Sequence, residues 1–152
     1  MFLVLTHFHG VKGPVIFLNY PENIPSTVRN KVLRFFDLDI EEEFFEIVLI
    51  NQGQRIVNLY FEVPSEWARG GVEMAMISVV MKTEYDSTLI YDFLKEIAEE
   101  IILTDNVFKS FYKFDDFHYN DIEIDLNYEI LKKILRRSLE RFIEKLTHKN
   151  MK

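Results

Sequence analysis

The chain has 152 residues, a formal net charge of −7 and no cysteine. The length fits one domain of ordinary size, and the absence of cysteine excludes a disulfide framework, a thiolate zinc site and a cysteine nucleophile. The acidic balance argues against nucleic acid as the partner, and the lack of cysteine favours the cytoplasm. We therefore expect a single cytoplasmic domain over residues 1–152.

The first twenty residues predict two strands and a tight connection. Residues 2–9 and 15–20 are rich in β-branched and aromatic side chains, and the turn formers Gly10, Gly13 and Pro14 lie between them. This pattern indicates an antiparallel hairpin. The opening apolar run has no basic start and is interrupted by polar residues, so we expect neither a signal peptide nor a membrane-spanning helix.

A helix and three strands are predicted next. Residues 23–26 have the composition of a helix start, and apolar residues at helical spacing continue to a predicted end at 37–39. Strands are predicted over residues 44–51, 55–63 and 74–82. Because these three strands follow one another in the chain, we expect an antiparallel meander.

Two helices complete the predicted order ββαβββαα. Apolar residues spaced by one, three and four predict a helix over residues 89–102, and the mixed segment 105–125 is interpreted as a helical extension over 107–114 followed by a loop. A basic amphipathic helix is predicted over about 126–147. Its apolar stripe consists of Leu126, Ile130, Leu131, Ile134, Leu135, Leu139, Phe142, Ile143 and Leu146.

Few motifs indicate chemistry. There is no glycine-rich phosphate loop and no serine elbow, and the acidic run at residues 41–43 is interpreted as a solvated loop. His7 and His9 share one face of the first strand, so a metal site would need a third ligand such as His118 or a carboxylate. We interpret both histidines as hydrogen-bonded strand residues and expect no metal, cofactor or catalysis; a small enzyme using them is an alternative.

The loop between the fourth and fifth predicted strands is the first candidate interaction site. Trp67, the only tryptophan, lies beside Arg69 in a polar, turn-rich segment outside any apolar periodicity. Tryptophan and arginine are enriched in binding hot spots, which makes both residues candidate partner contacts. The alternative is that Trp67 folds back over the sheet edge while Arg69 pairs with Glu66 or Glu73.

The basic face of the last helix is the second candidate. Residues 129–152 carry a net charge of +5, whereas residues 41–128 carry −13. Lys133 and Arg137 on this face are candidate contacts for a partner or an anionic membrane. One open alternative is that the apolar stripe is buried against the domain's own sheet while the basic face is merely solvated. The other is docking against the acidic second helix of the same domain.

The order ββαβββαα resembles that of the longin domain family. The matching segments are FLVLTHFHGVKGPVIFLNYPEN and LYFEVPSEWARGGVEMAMISVVM. The resemblance implies an α+β, profilin-like fold with a five-stranded antiparallel sheet between one helix on one face and two on the other. The G-P-x-[IV]-F start is more similar to longins of regulatory, GTPase-associated complexes. We expect that type rather than the vesicle-fusion type, since no heptad segment or anchor is seen.

The resemblance implies binding rather than catalysis. Longin and related roadblock domains are platforms or adaptors for small GTPases in trafficking-like or GTPase-regulating complexes, and they often pair into dimers. The implied partners are a small GTPase, another longin or roadblock chain, or a second copy of this chain, with no cofactor. The alternative taken from the residues themselves is a peripheral membrane protein attached through its basic last helix.

Overall fold

A computed structural model of the chain describes residues 1–37, 43–49, 52–82, 87–115 and 120–150. Its elements follow the predicted ββαβββαα order, with a short 3₁₀ segment between the last two helices. In chain order they are β1 (Phe2–His9), β2 (Gly13–Tyr20), α1 (Ser26–Asp37), β3 (Phe44–Leu49), β4 (Gln54–Pro64), β5 (Val72–Lys82), α2 (Ser87–Leu103), the 3₁₀ segment (Val107–Tyr112) and α3 (Glu123–Asn150).

The five strands form one antiparallel sheet in the order β2-β1-β5-β4-β3. The first strand of the chain therefore lies inside the sheet, between β2 and β5. This position explains its nearly continuous apolar sequence, because both faces of β1 are covered. Leu3, Val4 and Leu5 are each 0% exposed.

Helices cover both faces of the sheet, as expected for this α+β fold. Leu3 and Leu5 point to the face on which α2, α3 and the 3₁₀ segment pack. Val4 points to the other face, where it belongs to a smaller cluster with Val28 and Val32 of α1. The alternation follows from the two-residue period of a strand. The sheet thus lies between one helix and two.

The segment after α2 differs from its prediction. The residues expected to extend a helix form the separate 3₁₀ segment, because the chain turns sharply at Asn106, whose φ of 60° is left-handed. Val107, Phe108 and Phe111 of this segment are buried. The prediction for His118 and for two of the three acidic residues at 41–43 lies outside the described residues.

The last helix also differs from its prediction in two respects. It begins at Glu123, within the segment interpreted as loop, where the Glu123 amide donates to Asp121 Oδ1 at 2.9 Å. Five residues of the predicted apolar stripe are buried as expected: Leu131, Ile134, Leu135, Leu139 and Phe142. The prediction that the whole stripe is buried is wrong, however, because Leu126, Ile130 and Ile143 are 60%, 42% and 43% exposed.

Candidate interaction surfaces

A buried cluster of polar side chains joins β1, β5, the β4–β5 loop and the 3₁₀ segment. His7 Nε2 lies 2.8 Å from Glu73 Oε2. The hydroxyls of Tyr112 and Ser65 donate to Glu73 Oε1 at 2.7 and 3.0 Å. Glu73 is only 6% exposed, and a buried carboxylate needs hydrogen-bond donors to offset its lost hydration. The cluster therefore ties four separate parts of the chain together.

The protonation states in this cluster follow from its geometry. Burial raises the pKa of Glu73, but the hydrogen bonds from His7, Tyr112 and Ser65 and the attraction of His7 outweigh it and hold that pKa below its ordinary value. For Tyr112 the direction is opposite, because burial and then the hydrogen bond to the Glu73 carboxylate raise the pKa of its hydroxyl. At neutral pH the pair is a carboxylate and an uncharged phenol.

The β4–β5 loop is fixed by its own backbone as well as by this cluster. The Ser65 amide donates to the Gly71 carbonyl at 2.9 Å, and the Ala68 amide donates to Ser65 Oγ at 3.1 Å. Gly70 and Gly71 have φ values of 96° and 83°, which favour glycine. The turn composition of this loop therefore produces a defined conformation.

Trp67 is half-buried within that loop. Its ring packs edge-to-face on Phe108 and Tyr112, with centroids 5.4 and 5.2 Å apart. Lys109 Nζ lies 5.3 Å from the Trp67 ring centroid. The indole thus covers the 3₁₀ segment and presents part of its surface at the end of the sheet.

Arg69 lies in the same loop and is exposed. The ion pair with Glu66 or Glu73 that we considered as an alternative is absent among the described residues, and the Glu73 oxygens accept from His7, Ser65 and Tyr112 instead. Trp67 does pack inward, on Phe108 and Tyr112 of the 3₁₀ segment, whereas the pairing of Arg69 in that alternative is wrong. A role of both residues in partner contact stays a prediction.

The two candidate residues of α3 have different surroundings. Arg137 forms an ion pair with Glu100 of α2, so docking of the basic face on the acidic second helix occurs at this residue. Lys133 is exposed and makes no ion pair with any residue that the structure describes. Lys133 is therefore the more available of the two for a partner.

A groove of ≈ 420 Å³ separates α3 from the outer strand β2. Its wall on α3 includes three basic residues and one acidic residue, and its wall on β2 is uncharged. The lining residues are Phe17, Leu18, Asn19, Tyr20, Glu22, Tyr128, Glu129, Lys132, Lys133, Leu135 and Arg136. Lys133 is the predicted contact residue that the structure brings to this groove.

The two strand histidines are hydrogen-bonded, as predicted. His7 pairs with Glu73, and His9 Nε2 lies 2.9 Å from Asp115 Oδ1. His7 is only 4% exposed, which keeps a substrate away from its ring. Over residues 1–37, 43–49, 52–82, 87–115 and 120–150, no group of three histidine, cysteine or acidic side chains could hold a metal ion.

Sequence reasoning missed Glu73, Tyr112 and Asp115 as the partners of these groups. Glu73 is 66 residues from His7 and 39 residues from Tyr112 in the chain. No local spacing pattern connects positions so far apart. Only the fold brings them together.

No protein-family model matches this chain, and no curated protein matches it. The resemblance to longin domains therefore depends on the order of elements and on the two quoted segments.

None of the helices within the described residues combines the length and apolar character required to traverse a bilayer.

Proposed function

We propose that this chain is a non-catalytic interaction module of the longin type. In this proposal it is a cytoplasmic platform or adaptor for small GTPases in a GTPase-regulating or trafficking-like complex. The observation that carries the proposal is the five-stranded antiparallel sheet with α1 on one face and α2 and α3 on the other. This is the arrangement that the longin resemblance implies.

The outer strands support a binding role. Neither β2 nor β3 has a strand neighbour on its outer side among the described residues. Edge strands present backbone amides and carbonyls that pair with a strand of another chain. In β3, Val48 is also 47% exposed. Both edges thus offer a partner chain a place to extend the sheet.

The buried polar cluster supports a structural rather than a catalytic role for the histidines. A general acid or base must reach its substrate, and His7 is enclosed between Glu73 and the stacked ring of Phe111, 4.4 Å away between centroids. The cluster holds the loop that carries Trp67 in place, because Ser65 of this loop donates to Glu73. A fixed aromatic contact loses little conformational entropy on binding, which favours Trp67 as an anchor for a partner.

Affinity capture tests the proposal. The immobilised chain is incubated with extract of its native cells, and captured small GTPases are identified by mass spectrometry and then titrated in their GDP and GTP-analogue forms. We expect direct binding of at least one GTPase. Failure of every small GTPase to bind directly would overturn the platform role.

The loop is tested with Arg69→Ala rather than with a change at Trp67, because truncation of the half-buried indole also removes packing. We expect Arg69→Ala to weaken GTPase binding about tenfold or more, as for a hot-spot arginine. Arg29→Ala, which removes an exposed arginine from α1, is the matched control. Equal affinities of the two variants would remove the Trp67–Arg69 loop from the binding surface.

A further inference from the structure

We propose that the groove between β2 and α3 is the docking site of an extended, acidic peptide segment of a partner protein. The segment pairs as an added strand with the outer edge of β2, and its acidic side chains face the basic residues of α3. This inference goes beyond the GTPase platform, because it concerns β2 and α3 rather than the loop that carries Trp67. It does not depend on GTPase binding.

The groove follows β2 because α3 runs beside that strand. The Phe17 ring packs edge-to-face on Tyr128, with centroids 5.6 Å apart, and the Tyr20 hydroxyl donates to Glu140 Oε1 at 3.0 Å. The later part of β2 therefore lies beside the later part of α3. Between these two contacts the helix supplies the basic residues of the groove, which are Lys132, Lys133 and Arg136.

The outer edge of β2 is open where it borders the groove. β2 has no strand on its outer side among the described residues, and it contains none of the charged side chains that usually protect an edge strand. Its two other interruptions come earlier, since Pro14 is near its start and its bulge lies at Phe17. Beyond the bulge, Leu18, Asn19 and Tyr20 pair regularly with β1.

Asn19 shows that the groove reaches this edge. Asn19 pairs with Val4, so its side chain lies on the α1 side of the sheet, where its amide nitrogen donates to the carbonyls of Pro21 and Glu22. Asn19 nevertheless lines a groove whose other wall is α3, on the opposite face. A groove lined from both faces of a strand passes along its edge, where backbone amides and carbonyls bind an added strand.

The charge of the groove identifies the partner as acidic. The lining carries three basic side chains and the acidic Glu22 and Glu129, within a chain whose net charge is −7. Glu129 lies 3.9 Å from Lys132, whereas Lys133 and Arg136 have no ion pair among the described residues. Carboxylates of a partner would therefore complement these two cations without displacing an ion pair of the described domain.

The spacing of these cations suits a strand. Lys133 and Arg136 are about 4.5 Å apart along the helix axis, and Lys132 and Arg136 about 6 Å. Side chains two residues apart on one face of a strand are about 7 Å apart. The flexible stems of lysine and arginine cover the difference, so we expect an acidic residue at every second position of the partner segment.

A second copy of this chain fits the groove poorly. Antiparallel pairing of β2 with β2 of another copy keeps the helices of both copies on one face of the joined sheet, so that the basic walls of two α3 helices meet. Like charges brought together destabilise a complex. β2 itself also supplies no carboxylate. The occupant is therefore a segment of a different protein.

Peptide binding tests the proposal. The probes are synthetic peptides of about six residues, the usual length of a strand, in which valine alternates with glutamate or with lysine. We expect the glutamate peptide to bind about tenfold or more tightly than the lysine peptide at low salt, as measured by fluorescence polarisation. N-methylation of two adjacent central residues removes a backbone donor that faces β2 and keeps the charge, and it should weaken binding about tenfold. Equal affinities of the glutamate and lysine peptides, or no binding at millimolar peptide, would overturn the proposal.

Two charge reversals test the wall on α3. Lys133 and Arg136 are exposed, so Lys133→Glu and Arg136→Glu should leave the fold intact and weaken binding of the glutamate peptide about tenfold or more. Arg29→Glu, at an exposed arginine of α1 on the other face, is the matched control and should leave the affinity unchanged. Equal losses in all three variants would mean that only the net charge matters, which contradicts a docking site in this groove.

Amide signals of the isotope-labelled chain test the strand pairing. The glutamate peptide should shift the signals of Leu18, Asn19 and Tyr20 and slow their hydrogen exchange, whereas the signals of β3, the other outer strand, should not change. Shifts confined to α3 would contradict an added strand. Shifts in β2 that appear on raising the protein concentration without peptide would assign the edge to a second copy instead. Binding of vesicles that contain an anionic phospholipid, with no binding of the peptides, would assign the basic wall to a membrane and overturn the proposal.

Discussion

At the residue scale, Glu73 shows how one buried carboxylate organises distant parts of the chain. His7 comes from the first strand, Tyr112 from the 3₁₀ segment and Ser65 from the loop that carries Trp67. Because the pKa of Glu73 is lower in the folded state than in the unfolded chain, ionised Glu73 stabilises the fold. This contribution is present above the ordinary value of 4.5 and is lost as pH falls through the folded-state pKa.

Glu73→Gln tests this linkage. We expect the free energy of unfolding at pH 7 to fall by about 1–3 kcal/mol, because the amide cannot accept all three hydrogen bonds. As pH falls below 4.5, the wild-type value should approach that of the variant, since the wild type alone loses the carboxylate contribution. Urea unfolding across this pH range measures both effects. Glu66→Gln, in the same loop and exposed, is the control and should follow the wild-type curve.

Tyr112→Phe tests the other side of the same pair. Loss of the Tyr112 hydroxyl leaves Glu73 Oε1 with the Ser65 hydroxyl as its remaining hydrogen-bond donor. We therefore expect the free energy of unfolding to fall by about 1 kcal/mol at neutral pH. Because folding raises the pKa of Tyr112, its contribution is complete below the ordinary value of 10.0 and declines as pH rises beyond it. The variant should lose the part of the alkaline decline that comes from Tyr112.

Chemical denaturation between neutral and alkaline pH gives the measurement for the tyrosine. Tyr91→Phe serves as the matched control, because the Tyr91 ring packs on Phe44 outside the cluster. If both variants retain the same alkaline decline as the wild type, Tyr112 is not its source.

At the element scale, periodicity predicted the elements that lie in the core and was less informative about what lies between them. The apolar run of residues 2–9 indicated a covered strand, and β1 is central. The 3₁₀ segment was not distinguished from a helical extension, because its buried phenylalanines repeat at spacings that either structure would satisfy. Neither the exposed Leu126 nor the Glu73 cluster was predictable, since both depend on which faces and loops the fold brings together.

Two substitutions in α3 separate its core side from its basic side. Leu139 is 1% exposed, so Leu139→Ala should lower the free energy of unfolding by about 2–5 kcal/mol through lost burial and a cavity. Arg137 pairs with Glu100 at the surface, where solvent screens the attraction, so Arg137→Ala should cost no more than about 1 kcal/mol. Equilibrium denaturation of both variants gives the comparison. If Arg137→Ala lowered the free energy of unfolding more than Leu139→Ala does, the ion pair rather than the buried apolar side of the helix would hold α3 to the domain.

At the scale of the whole molecule, the two ends of the chain contribute very differently to the fold. Leu3 pairs with Val79 of β5 and with Tyr20 of β2, so the sheet cannot be completed without β1. The last turns of α3 are peripheral by comparison, because Phe142 is the final residue of the buried core in the described chain. The stability of the domain therefore depends on its beginning far more than on its end.

Truncation from each end tests this asymmetry. Removing residues 1–9 deletes a central strand and its buried side chains, a loss that exceeds the roughly 5–15 kcal/mol by which a typical domain is stable. We expect the shortened chain to show no cooperative thermal unfolding and no dispersed amide spectrum. Ending the chain at Leu146 removes exposed positions such as Thr147 and His148, and it should cost no more than about 1 kcal/mol. Cooperative unfolding of the chain that lacks residues 1–9 would show instead that β2 can close directly on β5.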